Sequence, residues 1–117
     1  MTDDLIVDCW LRAGFELFAH TWDPLVVAAL RDEPLRRRVL RNAIGGVSDK
    51  VLTESLRRLL ANGLVTRRSF AEAPPRVEYA LTALGRTFLD GPLRAVGDWL
   101  DGHADELLAA QEAAEAG

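Results

Sequence analysis

The stretch Gly45-Gly46-Val47-Ser48-Asp49-Lys50-Val51-Leu52-Thr53-Glu54-Ser55-Leu56-Arg57-Arg58-Leu59-Leu60-Ala61-Asn62-Gly63 decides how the rest of the chain is read. Two adjacent glycines cannot sustain a helix and mark a turn. Ser48 is a strong N-cap and Gly63 a stop signal, so the spacing predicts a helix from Ser48 to about Asn62. Leu52, Leu56, Leu59 and Leu60 share one face of it, while Lys50, Glu54, Arg57 and Arg58 fall on the other. One face is built for a core and the other for something charged.

Downstream, the period changes from 3.6 to 2. Leu64 to Phe70 and Arg76 to Leu81 are rich in β-formers, and Val77, Tyr79 and Leu81 alternate with polar neighbours, which predicts a β-hairpin. The connection Ala71-Glu72-Ala73-Pro74-Pro75 is too long for a two-residue turn and reads as a projecting loop. Thr82 caps a last helical region, which Gly91-Pro92 divides into a short piece and a longer one around Leu93 to Leu108.

Upstream, residues 3–20 carry Leu5, Ile6, Cys9, Phe15, Leu17 and Phe18 at mostly helical spacing and predict a first helix. Asp23-Pro24 restarts the chain, with Asp as N-cap and Pro at the first helical position of a buried second helix along Leu25 to Leu30. Glu33-Pro34 breaks it. Leu35 to Ala43 then predicts a third helix with Leu35, Val39 and Leu40 turned inward. The resulting fold class is mainly α with a β-hairpin: a winged helix-turn-helix with extra N- and C-terminal helices.

Charge is sorted along the chain. The net charge is −4, yet residues 31–86 hold 12 of the 14 basic residues and only six acids, or +6. The two flanks carry 2 bases against 12 acids, or −10. Such segregation predicts an anionic partner for the middle of the chain, and in a winged helix-turn-helix the helix after the turn enters the DNA major groove. Ser48, Lys50, Thr53, Glu54 and Arg57 are the candidate groove and phosphate contacts. Arg67, Arg68 and Arg76 are the candidate backbone contacts from the wing.

Other chemistry finds little footing. There is no glycine-rich phosphate loop, nucleophile elbow or paired histidine with a carboxylate at zinc spacing, so no enzyme activity and no cofactor are expected. Asp98, Asp101, His103 and Asp105 do not converge on one helical face, so no metal site is expected. His20 is isolated and reads as a solvated or capping side chain. No run of apolar residues is long enough to span a bilayer, residues 1–8 lack a secretory pattern, and the single cysteine suits a reducing cytosol. A cytoplasmic protein without a membrane partner is expected.

Two segments resemble one family of regulators, the HxlR family. One is Gly46-Val47-Ser48-Asp49-Lys50-Val51-Leu52-Thr53-Glu54-Ser55-Leu56-Arg57-Arg58-Leu59 with Asn62-Gly63-Leu64-Val65-Thr66-Arg67. The other is Pro74-Pro75-Arg76-Val77-Glu78-Tyr79-Ala80-Leu81-Thr82 with Gly85, and the spacing of Cys9 and Trp22 is similar as well. The resemblance covers roughly residues 9–100. It implies one domain over 1–117, with a DNA-binding part at about 24–86 and dimerisation helices at about 3–20 and 88–112.

It further implies a homodimeric repressor or activator on a near-palindromic double-stranded DNA operator, open to a redox or small-molecule effector signal. Some relatives use a cysteine at the position of Cys9 as a redox sensor, and that role carries over as an expectation. A small buried hydrophobe is the plainer reading of the same thiol. Trp10, Phe15, Phe18 and Trp22 are expected in the dimer core in preference to an effector pocket, and Leu93, Val96, Leu100, Leu107 and Leu108 on a dimerising helix. The chain departs from the family where an Arg-Phe-x-Glu-Leu pattern usually opens the third helix: here stands Arg36-Arg37-Arg38-Val39-Leu40, whose Arg37 and Arg38 are candidate phosphate contacts. The alternative from another class is a winged helix that binds an acidic protein and no DNA.

Overall fold

The computed structural model describes residues 9–117. Six helices and three strands follow in the order α1 (Cys9–Glu16), α2 (Trp22–Ala29), β1 (Leu35–Arg36), α3 (Arg37–Ile44), α4 (Asp49–Ala61), β2 (Val65–Phe70), β3 (Arg76–Leu81), α5 (Ala83–Phe88) and α6 (Arg94–Ala116). A π-helical turn, Leu89–Leu93, joins α5 to α6.

The core lies between α2, α3, α4 and the sheet. Val26 and Val27 of α2 and Leu30 at its C-cap meet Leu40 of α3 and Leu52, Leu56 and Leu59 of α4, closed below by Leu64, Val65, Tyr79 and Phe88. Each buried leucine contributes about 1.5–3 kcal/mol by leaving water, so the α4 row alone fixes which way that helix faces. Ser48 caps α4 as expected, its hydroxyl accepting from the Val51 amide at 3.2 Å. Gly63 ends it at φ 73°, in the left-handed region that glycine reaches without strain. Thr82 caps α5 through the Gly85 amide at 3.0 Å. Gly85 packs so tightly that a Cβ there would run into the Leu64 carbonyl.

Five expectations change. The first helix ends at Glu16, because the chain tightens into turns over Leu17–Ala19 that drop Leu17 onto the core and set Phe18 5.3 Å from Phe88. The part of that expectation over residues 3–8 lies outside the described residues. Second, Leu35 belongs to no helix. Leu35 and Arg36 pair antiparallel with Tyr79 and Glu78, making β3 the middle strand in the order β1-β3-β2. Their pairing satisfies backbone groups that an edge strand would leave open, and it overrides local helix preference. Third, Val39 is exposed, and only Leu40 of α3 is buried.

Fourth, only one side of α2 is deeply buried, since Leu25 remains exposed, and on α4 Leu60 lies at the margin of the leucine face. Fifth, Gly91-Pro92 divides the last helical region into a short and a long piece, as expected, but by a π-helical turn and not by a gap in the helical path. Proline has no N–H to give to the helical ladder, and the chain accommodates it by widening one turn, so that α5 runs on into α6. α6 is 23 residues long and none of them is buried.

Candidate nucleic-acid interface

Two glycines in the left-handed region, Gly45 at φ 71° and Gly46 at φ 72°, swing the chain from α3 into α4. With its leucine side against α2, α4 turns Lys50, Glu54 and Arg57 outward. They are spaced four and three residues apart and so fall on one stripe. Lys50 and Arg57 are exposed and Glu54 half-buried. Ser48 is exposed at the N-terminus, where the first amides of the helix point outward. Its cap bond uses an oxygen lone pair, which leaves the hydroxyl proton able to donate to an anion.

Not every cation of the basic middle is available. Asp23, 3 % exposed, sits under α4 and accepts hydrogen bonds from Ser55 Oγ at 2.5 Å, Arg58 Nε at 2.9 Å and Arg58 Nη2 at 2.9 Å. Arg58 is therefore no outer-face residue, and Asp23 is no N-cap: the carboxylate has no capping bond and ties α2 to α4 instead. The hydrogen bond that Arg58 donates to Asp23 raises the Arg58 pKa above its ordinary value against an opposing cost of burial, so the guanidinium stays charged. Glu54, four residues before Arg58, makes no ion pair with it, and the guanidinium takes Asp23 as its bidentate partner.

Arg37 works as a brace. Its Nη2 donates to the Asp49 carbonyl at 2.8 Å and to Thr53 Oγ1 at 2.6 Å. Thr53 in turn donates to the Asp49 carbonyl at 2.8 Å, so this hydroxyl is engaged within the protein. Arg41 holds the other side, donating to the Val47 carbonyl at 3.2 Å and pairing with the Asp49 carboxylate at 3.2 Å. Two arginines thus fix the entry of α4 to α3. Arg38, exposed, has no such partner among the described residues.

On the wing, Arg67 and Arg68 are both exposed, opposite Tyr79 and Glu78 respectively. Consecutive strand residues point to opposite faces, so they flank the hairpin on its two sides. Arg76 differs from both. It lies half-buried with its guanidinium 4.2 Å above the Phe70 ring, and pairs with Glu72 at 3.3 Å and Glu78 at 3.6 Å. That position rivets the base of the projecting loop Ala71–Pro75.

The structure thus brings Ser48, Lys50, Glu54 and Arg57 onto one surface, and sets Thr53 and Arg76 into internal contacts beside it. Sequence reasoning missed the Asp23–Ser55–Arg58 clamp. Its signal was present: a serine at a core-facing position among leucines requires a buried polar partner.

Outside this surface, Cys9 is a free, exposed thiol at the start of α1. His103 donates from Nδ1 to the Trp99 carbonyl at 2.8 Å and stacks on the Trp99 ring at 4.7 Å. Among the described residues no helix is long and apolar enough to cross a membrane.

Comparison with known proteins points the same way. The model of the HxlR-like helix-turn-helix family matches residues 17–107. The chain is 38 % identical over 104 residues to YtfH of Escherichia coli K12, described as an uncharacterised HTH-type transcriptional regulator, covering 89 % of this chain and 82 % of that protein. The reduced form of the transcriptional regulator YodB from Bacillus subtilis superimposes with a TM-score of 0.70 at 32 % identity, over 78 % of this chain and 88 % of that one. The reduced form of the redox regulator HypR does so with a TM-score of 0.77 at 27 % identity, over 85 % and 97 %. A glycine turn, a helix with a basic outer stripe and a β-hairpin wing, in a chain so related, have one reading: the protein belongs to the HxlR-like helix-turn-helix family and is a DNA-binding transcriptional regulator of the winged-helix kind.

Proposed function

We propose that the protein acts as a homodimer that places two α4 helices in successive major grooves, about 34–36 Å apart, of a near-palindromic operator. The observation that carries this reading is the division of the cations. Lys50 and Arg57 face outward on α4, whereas Arg37, Arg41 and Arg58 hold that helix in place from behind. Lys50, Glu54 and Arg57 meet the groove, the two cations at the phosphates along its edges, Ser48 and Arg38 meet further phosphates, and Arg67 and Arg68 the backbone beside the wing. Thr53 and Arg76 serve by positioning, through Arg37 and Phe70. The protein works by binding and not by catalysis, in the cytoplasm, as one domain over residues 1–117 with its DNA-binding part at about 24–86.

Dimerisation rests on α1 and α6. Phe15 and Trp99 are 65 % and 52 % exposed, with Val96 and Leu108 similarly open, on helices that turn little of their apolar side to their own chain. A second copy supplies the missing cover and adds its own α6 by two-fold symmetry. The signal is redox, sensed at Cys9, whose exposure supports access by an oxidant. That HypR, a similar protein, is described as a redox regulator supports a redox signal.

Selection of bound fragments from bacterial genomic DNA tests the core of this reading. One enriched near-palindromic sequence is expected, and its binding should weaken under oxidant in the natural protein but not in Cys9→Ser. Binding without any sequence enrichment would overturn the operator claim and favour an acidic protein as the partner. Oxidant sensitivity unchanged in Cys9→Ser would remove the thiol as sensor.

A further inference from the structure

The π-helical turn between α5 and α6 does more than admit Pro92. Arg86 precedes it and Arg94 follows it, eight residues on. On an uninterrupted α-helix, residues eight apart lie about 80° apart around the axis. A turn that takes up one extra residue leaves them spaced as seven, about 20° apart. The two guanidiniums therefore share one side of the helix. They line an open groove of about 430 Å³ with Arg31, Asp32 and Asp90, over a floor of Ala28, Leu89 and Leu93. The floor is anchored, since Leu89 and Leu93 pack against the core.

The charge in this groove is unevenly matched. Arg31 pairs with Asp32 at 3.5 Å and donates to the Ala28 carbonyl at 3.1 Å, so both members of that couple are accounted for. Arg86 and Arg94 have no hydrogen-bond or ion-pair partner among the described residues, and face the single carboxylate of Asp90. An apolar floor beneath two unpaired guanidiniums is complementary to a small molecule with an apolar body and one carboxylate. Guanidinium binds carboxylate through charge-assisted, paired hydrogen bonds that a neutral polar group cannot match. π-turns inside helices also occur frequently at functional sites.

We propose that this groove binds an amphipathic organic acid, held at its carboxylate by Arg86 and Arg94 and along its chain by Leu89 and Leu93. The proposal rests on the regulator reading and adds to its redox signal a second, small-molecule one of stated chemical class. Binding is read without DNA, so its failure leaves the operator reading standing. Calorimetric titration of the full chain with octanoate, octanamide and acetate tests it.

Octanoate should bind saturably, about tenfold or more tighter than octanamide, which lacks the charge, and than acetate, which lacks the chain. Arg86→Gln with Arg94→Gln should remove that preference while the melting temperature stays near that of the natural protein. Failure of octanoate to saturate by ~10 mM, equal binding of octanoate and octanamide, or an undiminished preference in the double variant would each overturn the site. The comparison of the three ligands needs no variant, so the outcome stands even if the substituted chain misfolds.

Discussion

Helices α4 and α6 have similar designs and different fates. Both are amphipathic, α4 with leucines at three- and four-residue spacing and α6 with Val96, Trp99 and Leu100 so spaced and Leu107 and Leu108 two turns on, and both carry charge between them. In α4 the apolar row is buried by the chain's own α2 and sheet, with Leu52, Ser55, Leu56 and Leu59 all inaccessible. In α6 Val96, Trp99 and Leu108 stay exposed, Leu100 and Leu107 are only half-buried, and no residue of the helix is fully covered by its own chain. One helix is completed by its own fold, which frees its far side for a ligand. The other, on the proposed reading, is completed by a second copy of the chain. The lesson is that an amphipathic pattern announces a partner without saying whether that partner lies in the same chain.

That contrast can be broken from either side. The largest effect is expected at α6. Leu100→Glu with Leu107→Glu removes about four leucines from a two-fold interface, at about 1.5 kcal/mol or more each, so self-association should weaken on the order of 10⁴-fold. Sedimentation equilibrium should then show monomers throughout the micromolar range, while far-ultraviolet circular dichroism keeps the helical signal. A dimer that persists would place the interface elsewhere.

Next comes the clamp behind α4. Asp23→Ala leaves Arg58 half-buried without its counter-charge, and should cost about 3 kcal/mol of stability in urea denaturation. A loss under about 0.5 kcal/mol would mean that the pair is solvated and holds nothing. The smallest effect is expected at the mouth of α4, where Ser48→Ala removes one cap bond and should cost about 1 kcal/mol. Ser48→Gly should recover most of that stability but not the contact to phosphate. DNA affinity that follows stability through both substitutions would deny Ser48 any direct contact.

Local signals carried most of the fold. Ser48, Gly63 and Thr82 stand where the sequence placed them because caps and stops are short-range chemistry, read from a few neighbouring residues. The hairpin followed from alternation for the same reason. Strand β1 was not legible, since two residues carry no period and Leu35-Arg36 becomes strand only by meeting β3. The roles of the arginines were half legible. Charge segregation pointed to the right region, but whether a given guanidinium faces outward or inward depends on distant partners. Arg58 found Asp23, 35 positions away, and Arg37 found Thr53, 16 away. Only the fold separates the cations that face outward from those that brace.

That separation is tested most directly by the salt dependence of operator binding. Counterion release lowers the slope of log affinity against log salt by about one for each phosphate contact removed. Lys50→Gln with Arg57→Gln should therefore flatten the slope by about two and leave the denaturation midpoint unchanged. Arg58→Gln should leave the slope as it is and lower the midpoint. A slope insensitive to Lys50 and Arg57 but altered by Arg58 would contradict the assignment of the outer face of α4 to DNA.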